Sequence, residues 1–331
     1  MSLKRVLIVG VGSIGERHLR CFQNTGRVQV AFVEPRAELR EQIAARYPGT
    51  VPYNTFETAL QTPQDVAVIA TPAPYHIPQA RQAVAQGWDV LIEKPLSVEL
   101  TGIDELIAET EQQRRIVGVA YVHRANPLLQ KARQVLQSGE LGQPVELLVV
   151  GGQHFPTYRP AYREIYYRDH ALGGGAIQDA ITHLFNAGEW LLGPITKLVC
   201  DAEHLVLEGV DVEDTVHLLA RQGEVLASYS MNQHQAPNEL MLTVICQRGT
   251  LKIEWHTNRL SLMTTPSSEW QHSILPPLER DDLFIAQANT FLDAVETRQP
   301  AACTLEEGLQ TLKVNQAALR SVKEGCWMTI C

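Results

Sequence analysis

The 331-residue sequence has no CxxC pair. Its six cysteines stand at positions 21, 200, 246, 303, 326 and 331, too scattered for a zinc ribbon or a thioredoxin motif. Scattered cysteines in a long chain predict reduced thiols and a cytoplasmic setting. No apolar run approaches the roughly 18 residues of a membrane helix, so no membrane partner is expected. The opening "MSLKRVLIVGVGSIG" carries only a short apolar run, with no small-residue cleavage site at the right distance behind it. It reads as a first strand. Positive charge is also in deficit. Of the net −9, most falls beyond Ala120, where 24 Asp and Glu stand against 16 Lys and Arg. That balance argues against nucleic acid as a partner. Internal repeats and low-complexity linkers are absent.

What is present describes a globular protein, with 45% apolar and 20% charged residues. The length exceeds one ordinary core, so two domains are expected. The first 120 residues alternate strand and helix. Strands are predicted at Arg5–Gly10, Val28–Val33, Asp65–Thr71, Asp89–Lys94 and Ile116–Val122. Helices are predicted at Ile14–Asn24, Ala37–Arg46, Pro78–Gln86 and Leu100–Arg114. The strands are nearly continuous apolar runs, as strands buried on both faces must be, so this part is α/β with a doubly wound parallel sheet. After Val122 the pattern changes. A helix, Pro127–Ser138, ends in a Gly- and Pro-bearing turn. Strand-like segments follow at Val145–Gly152, Lys197–Val206, Thr215–Arg221, Val225–His234, Leu240–Gln247 and Gly249–Trp255. Several alternate apolar and polar residues, which suits an antiparallel sheet with one covered face. Two helices, Asp282–Thr297 and Leu305–Lys323, close the chain. The reading is α/β for residues 1–122 and α+β for residues 123–331.

"GVGSIG" places Gly10, Gly12 and Gly15 directly after the first strand, with Ser13 and Ile14 opening the helix. A glycine-rich turn of this kind is common, and its context gives it meaning. Gly10 permits the tight turn, Gly12 lets a pyrophosphate approach the backbone, and Gly15 allows close helix–strand packing. The helix N-terminus offers N–H groups to phosphate. Glu34 ends the second strand nineteen residues beyond Gly15, where a ribose-binding carboxylate belongs. It favours NAD over NADP, although Arg36 is placed to meet a phosphate or stack on adenine. The plain alternative is a solvated Glu at a strand end.

"EKP", Glu93-Lys94-Pro95, closes the strand from Asp89. Ligands bind outside the carboxyl ends of such strands, so Lys94 points towards the cofactor region, and the following proline restricts its backbone. Later comes "GGGAIQDAITH", Gly173 to His183. On a helix, residues four apart share one face, so Asp179 and His183 are predicted to point the same way. Histidine suits removal of an alcohol proton because its ordinary pKa lies near 6.5. A carboxylate beside it orients the ring or the substrate, and a lysine cation stabilises a developing alkoxide. His183 is therefore read as general base, Lys94 as polariser and relay, and Asp179 as binder and tuner; the first two roles are exchangeable. The alternative is an Asp in the first turn of a helix, favoured by the dipole. No further ligand at metal spacing accompanies the pair, so no metal is expected. Between Phe155 and Gly175 lie three arginines, a histidine and four tyrosines. Arg159, Tyr162, Arg163, Tyr167 and Arg168 are substrate candidates for a polar sugar, with Tyr121 and Arg124 added; the alternative has the tyrosines packing an interface.

The glycine turn, "TPAPYH" (Thr71–His76), "EKP" and "GGGAIQDAITH" together resemble the glucose–fructose oxidoreductase/inositol dehydrogenase (Gfo/Idh/MocA) family, as does the closing "TLEEGLQTLKVNQAALRSVKEG". The resemblance spans nearly the whole chain. It implies a Rossmann domain followed by a domain with a large open, mostly antiparallel sheet. It further implies NAD(P)-dependent redox chemistry on a sugar, polyol or sugar derivative, and a homodimer or homotetramer joined through that sheet. By the same resemblance Lys94, Asp179 and His183 match the catalytic positions, Gly10, Gly12 and Gly15 the phosphate loop, and Thr71, Pro72 and His76 the loop near the nicotinamide. Many members carry Asp-x-Gly-x-His, whereas Ile181 fills the glycine position here, and Asn186 stands where an acid is frequent. The substrate subgroup is left open. So is the net reaction: simple dehydrogenation, redox-assisted elimination or epimerisation with a recycled cofactor, or a non-catalytic NAD-linked sensor.

Overall fold

The computed structural model describes residues 3–330; Cys331 lies outside the described residues. The chain divides into two compact units. One is the chain up to Val122 together with Leu278–Leu309, and the other is His123–Pro277 together with the chain from Gln310 on. A single boundary after residue 122 would put 278–309 in the second domain, and here the structure differs from the sequence reading.

The first unit is built on a six-stranded sheet of β1 (Lys4–Val9), β2 (Val28–Val33), β3 (Val51–Tyr53), β4 (Val66–Ile69), β5 (Asp89–Ile92) and β6 (Val117–Val119). The order is β3-β2-β1-β4-β5-β6 and every pairing is parallel. Strand order reverses between β1 and β4, which makes the crevice beyond their carboxyl ends the expected ligand site. Val6, Leu7, Ile8, Val66, Val68 and Ile69 are almost wholly excluded from water, which explains the unbroken apolar runs. Helix α1 (Ser13–Asn24) buries Gly15, His18, Leu19 and Phe22 along one stripe. The segment 278–309 joins this core because helix α9 (Asp282–Thr297) contributes Ala288, Phe291, Leu292 and Val295 to the cluster that holds Leu19 and Phe22. Ion pairs fix it there: Arg20 to Asp281 at 2.5 and 2.7 Å, and Arg298 to Asp89 at 2.8 Å.

The second unit carries a nine-stranded sheet. Its strands are β7 (Pro144–Gly152), β8 (Lys197–Glu203), β9 (Thr215–Gln222), β10 (Val225–Asn232), β11 (Glu239–Cys246), β12 (Thr250–Glu254), β13 (Arg259–Met263), β14 (Gln271–Ile274) and β15 (Met328–Thr329). The order is β14-β13-β12-β11-β7-β10-β9-β8-β15. All pairs are antiparallel except β7–β10. One face packs on helices α6 (Pro127–Gln137), α8 (Thr182–Leu192) and α10 (Leu305–Glu324), with Leu129, Leu184, Phe185, Val314 and Ala318 meeting Leu147, Val149, Leu218, Tyr229 and Leu242. The other face is uncovered in the single chain. The register lines up Val199, Leu219, Ser228, Leu148 and Thr243 across five strands, with Val150 beside Met241 in the next row. Val150, Leu219 and Leu226 are about half exposed.

One buried carboxylate holds the long connection between β8 and β9. Asp214 is fully buried and accepts the N–H groups of Leu205, Val206 and Leu207 and the Thr215 hydroxyl. Burial pushes its carboxyl upwards, yet these donors outweigh burial and leave it below the ordinary range. Its contribution to stability is therefore present above the unfolded carboxyl pKa of about 3.9 and is lost as pH falls through the lower folded value. Asp214→Asn puts an amide against the N–H donors. It should lower unfolding free energy by about 3 kcal/mol at neutral pH, measured by urea denaturation.

Candidate active site

On the first unit, β1 ends at the glycine turn. Gly10 has φ +84°, which an L side chain rarely adopts, and a β-carbon on Gly15 would lie 1.8 Å from the Gly10 carbonyl oxygen. Gly12 faces open space, with nothing within 4 Å of a β-carbon built there. It is the N-cap of α1 and provides no side-chain cap, which suits a helix start that offers its first N–H groups to a ligand. Glu34 at the end of β2 is 2% exposed. Arg36 grips it through Nε at 2.7 Å, through a terminal nitrogen at 3.0 Å, and through its own backbone N–H at 3.1 Å. Burial raises the Glu34 carboxyl, while Arg36 and the Val11 N–H lower it further, so it stays ionised and able to accept ribose hydroxyls. An open cradle, an uncapped helix start and an ionised carboxylate in these places fit a dinucleotide.

The loops after β4 and β5 lie against each other. His76 is buried, and its two ring nitrogens face the Thr71 carbonyl at 2.7 Å and the Pro95 carbonyl at 3.0 Å. Burial pulls His76 below the ordinary histidine range against the opposing pull of those carbonyls and of Glu93. The Thr71 hydroxyl donates to Gln79 at 2.7 Å, and Pro72 is exposed. Glu93 is 5% exposed; its carboxylate accepts the Lys94 backbone N–H at 2.9 Å and meets His18 Nε2 at 2.6 Å. The Lys94–Pro95 bond is cis. The structure thus brings Thr71, His76, Glu93 and Lys94 into one pair of loops. His18 was missed, although a histidine on the Gly15–Leu19–Phe22 stripe is a polar residue on an apolar face. Tyr121 is fully buried and lines no exposed surface of this unit.

On the second unit, the three glycines answer backbone and packing demands. Gly173 and Gly175 have φ +89° and +85°, and β-carbons on Gly174 and Gly175 would strike the Tyr167 carbonyl and the Glu213 carboxylate. Glu213 Oε1 accepts the Ile177 N–H at 2.8 Å, and its other oxygen pairs with His170 at 2.5 Å. The next residues correct the sequence reading. Ala176–Ile181 is a π-helical stretch, and α8 begins only at Thr182, so Asp179 and His183 are not four apart on one regular α-helix. Such wide turns occur frequently at functional sites. Asp179 is 7% exposed and accepts the Tyr166 hydroxyl at 2.6 Å. His183 stacks on His123 with centroids 4.9 Å apart, and His123 lies against Trp255 at 6.1 Å.

The substrate candidates divide. Tyr162 and Tyr167 are core residues, packed with Phe155, Leu207, Val210 and Val212. The Tyr162 hydroxyl donates to the Glu208 carbonyl and that of Tyr167 to Gln233. These tyrosines hold the connection in place and have no surface for a sugar. Arg163 reaches Glu208, while Arg159 and Arg168 are exposed. Arg124 is buried, with Nε on Asn186 at 2.9 Å and its guanidinium over Trp190. Tyr166, His123 and Trp255 lie beside the catalytic candidates instead. Only Tyr166 carried a signal, since it stands within the tyrosine-rich stretch.

Residues 4–121 match the "oxidoreductase family, NAD-binding Rossmann fold" and residues 129–252 the "GFO/IDH/MocA C-terminal domain". Together these matches cover well over half of the chain, and the protein belongs to the Gfo/Idh/MocA oxidoreductase family. It binds NAD through its Rossmann domain. An inositol 2-dehydrogenase of Streptomyces avermitilis is 24% identical over 99% of this chain and 95% of its own. Another, of Mycolicibacterium smegmatis, is 34% identical over 44% of each chain. Among solved structures, an NAD-binding oxidoreductase of Klebsiella pneumoniae superposes with TM-score 0.90 at 19% identity, covering both chains in full. Levoglucosan dehydrogenase with NADH and levoglucosan gives 0.89 at 17% identity over 99% and 100% of the two chains. At these identities the structural likeness speaks for the fold. Among the described residues no group of three metal-ligating side chains gathers, and no helix is long and apolar enough to cross a membrane.

The Gly15–Gly10 contact leaves no room for a methyl group. Gly15→Ala should weaken NADH binding about tenfold or more, followed by fluorescence titration, with far-UV circular dichroism unchanged.

Proposed function

We propose that the protein is an NAD-dependent dehydrogenase that oxidises a secondary alcohol of a sugar, polyol or sugar derivative. The observation that carries this reading is the loop geometry around Lys94. It sets a lysine at the carboxyl end of β5, anchored on both sides, on the unit that carries the dinucleotide cradle. Inositol 2-dehydrogenases among the relatives support the substrate class.

Gly10, Gly12, Ser13, Ile14 and Gly15 hold the pyrophosphate, and Glu34 holds the ribose with Arg36 beside it. Thr71, Pro72 and His76 line the nicotinamide end. Bound NAD supplies the hydride acceptor. The Lys94 ammonium polarises the hydroxyl oxygen and stabilises the alkoxide as it forms. His183 takes the hydroxyl proton; its stacked position on His123 fixes the plane of the ring. Asp179, kept in place by Tyr166, orients ring or substrate. Arg159 and Arg168, exposed on the same unit as His183, are free to meet polar groups of the substrate. The scattered thiols support a cytoplasmic setting.

The uncovered sheet face supports a homodimer or homotetramer. Two adjacent rows of it place Val199, Leu219, Leu148, Val150 and Met241 over the middle of the sheet, interrupted by Ser228 and Thr243 and by no charge, and a contiguous apolar face of this kind favours a partner surface. Val150→Asp with Leu219→Asp should reduce the mass in solution to that of one chain, read by light scattering; an unchanged oligomer would exclude this face.

For the chemistry, NADH formation should be followed by absorbance with NAD and a panel of polyols, aldoses and uronates. Lys94→Ala and His183→Ala should each cut kcat about a hundredfold or more while NADH affinity is retained. A fully active His183→Ala enzyme would remove histidine as the base.

A further inference from the structure

Two buried histidines grip the segment that carries Lys94, one from each side. On the far side His76, at the start of helix α4 (His76–Ala85), faces the Pro95 carbonyl. On the near side His18 of α1 meets the Glu93 carboxylate at 2.6 Å. His18 is 1% exposed, and its ring is edge-on to Phe284 at 5.6 Å and tilted on Phe22 at 6.3 Å. It has no freedom to turn away. Both oxygens of Glu93 are committed, one to His18 and one to the backbone N–H of Lys94. The carboxylate therefore folds back on its own chain and sets the residue that follows it.

A buried carboxylate is expensive to keep, and a buried ionic pair is weak evidence for stability, because well-packed apolar groups would serve as well. Burial raises the Glu93 carboxyl, but the His18 contact and the Lys94 charge prevail and leave it below the ordinary range. An apolar residue at position 93 would fill the space and leave the Lys94 N–H without an acceptor. The pair also joins two elements with separate tasks: α1, whose first turn faces the phosphates, and the strand end that bears the lysine.

We propose that His18 is a positioning residue: acting through Glu93, it fixes the backbone of Lys94 relative to the phosphate-binding helix. The proposal rests on the reading of Lys94 as the polarising group, and the experiment separates the two. Lysines of the full-length protein are reductively methylated with ¹³C, and the dimethyl-Lys94 resonance, assigned by its loss in Lys94→Arg, is followed with and without NADH. Three variants discriminate by reach. Glutamine sets an N–H donor near the position of His Nε2, asparagine is too short to span to Glu93, and Glu93→Gln keeps volume while removing charge.

His18→Gln should leave the Lys94 resonance and turnover close to wild type. His18→Asn and Glu93→Gln should displace or broaden the resonance and lower kcat between about ten- and a hundredfold, with KM for NAD and NADH affinity little changed. A general packing defect would instead weaken NADH binding and turnover together in all three variants, and that result would overturn the proposal. So would an unmoved Lys94 resonance in His18→Asn and Glu93→Gln. If Lys94→Ala keeps full turnover, the catalytic reading of Lys94 falls, and the resonance alone then decides whether His18 positions it.

Discussion

The first unit depends on how closely α1 lies on the turn that precedes it. With 1.8 Å between a hypothetical Gly15 β-carbon and the Gly10 oxygen, helix and turn meet backbone to backbone. That contact aims the helix N-terminus at the gap where strand order reverses. It also brings the next turn of the same helix, with His18, down to the end of β5. Phosphate recognition at one turn of α1 and lysine placement at the next are set by a single helix–strand spacing. Any side chain at position 15 would disturb both.

The second unit obeys a similar constraint with carboxylates in place of glycine contacts alone. Glu213 and Asp214 are consecutive and buried, and they serve opposite sides of the chain. Glu213 takes the first N–H groups of the stretch that leads to Asp179, and Asp214 takes those of the connection at 205–207. Backbone donors that would otherwise be stranded near the site are thus neutralised by two adjacent residues. Gly174 and Gly175 have no side chain because the Tyr167 carbonyl and the Glu213 carboxylate occupy the space where one would go, and Gly173 supplies a positive φ.

Much of this was legible. Continuous apolar runs announced the parallel strands, since both faces of β1, β4 and β5 are buried. Alternation of apolar and polar residues announced several strands of the second sheet. Strands β3, β13, β14 and β15 escaped because they are short or lie at or next to a sheet edge, where one or both faces are wet and patterning is weak. The helix at Asp282–Thr297 was visible, but an amphipathic pattern does not say which core it faces; Arg20, Arg27 and Asp89 decide that through ion pairs far apart in sequence. Asp179 and His183 do not share the regular α-helix that their spacing predicts, because a wide helical turn leaves no mark on sequence spacing. Tyr162 and Tyr167 misled for a different reason. A tyrosine is equally at home on a sugar or in a core, provided its hydroxyl finds an acceptor.

The parallel pairing of β7 with β10 has a consequence for how such a protein diversifies. Parallel neighbours cannot be joined by a tight hairpin, so the chain must travel a long way between them. Residues 153–224 make that journey, and they contain the tyrosine-rich stretch, the glycines, Asp179, His183 and both buried carboxylates. The central strands keep their register whatever the excursion between them does. Those parts of the excursion that lie outside α8, β8 and β9 can therefore change in length and composition, altering what is recognised, while the strands and the helix that pack together keep their places.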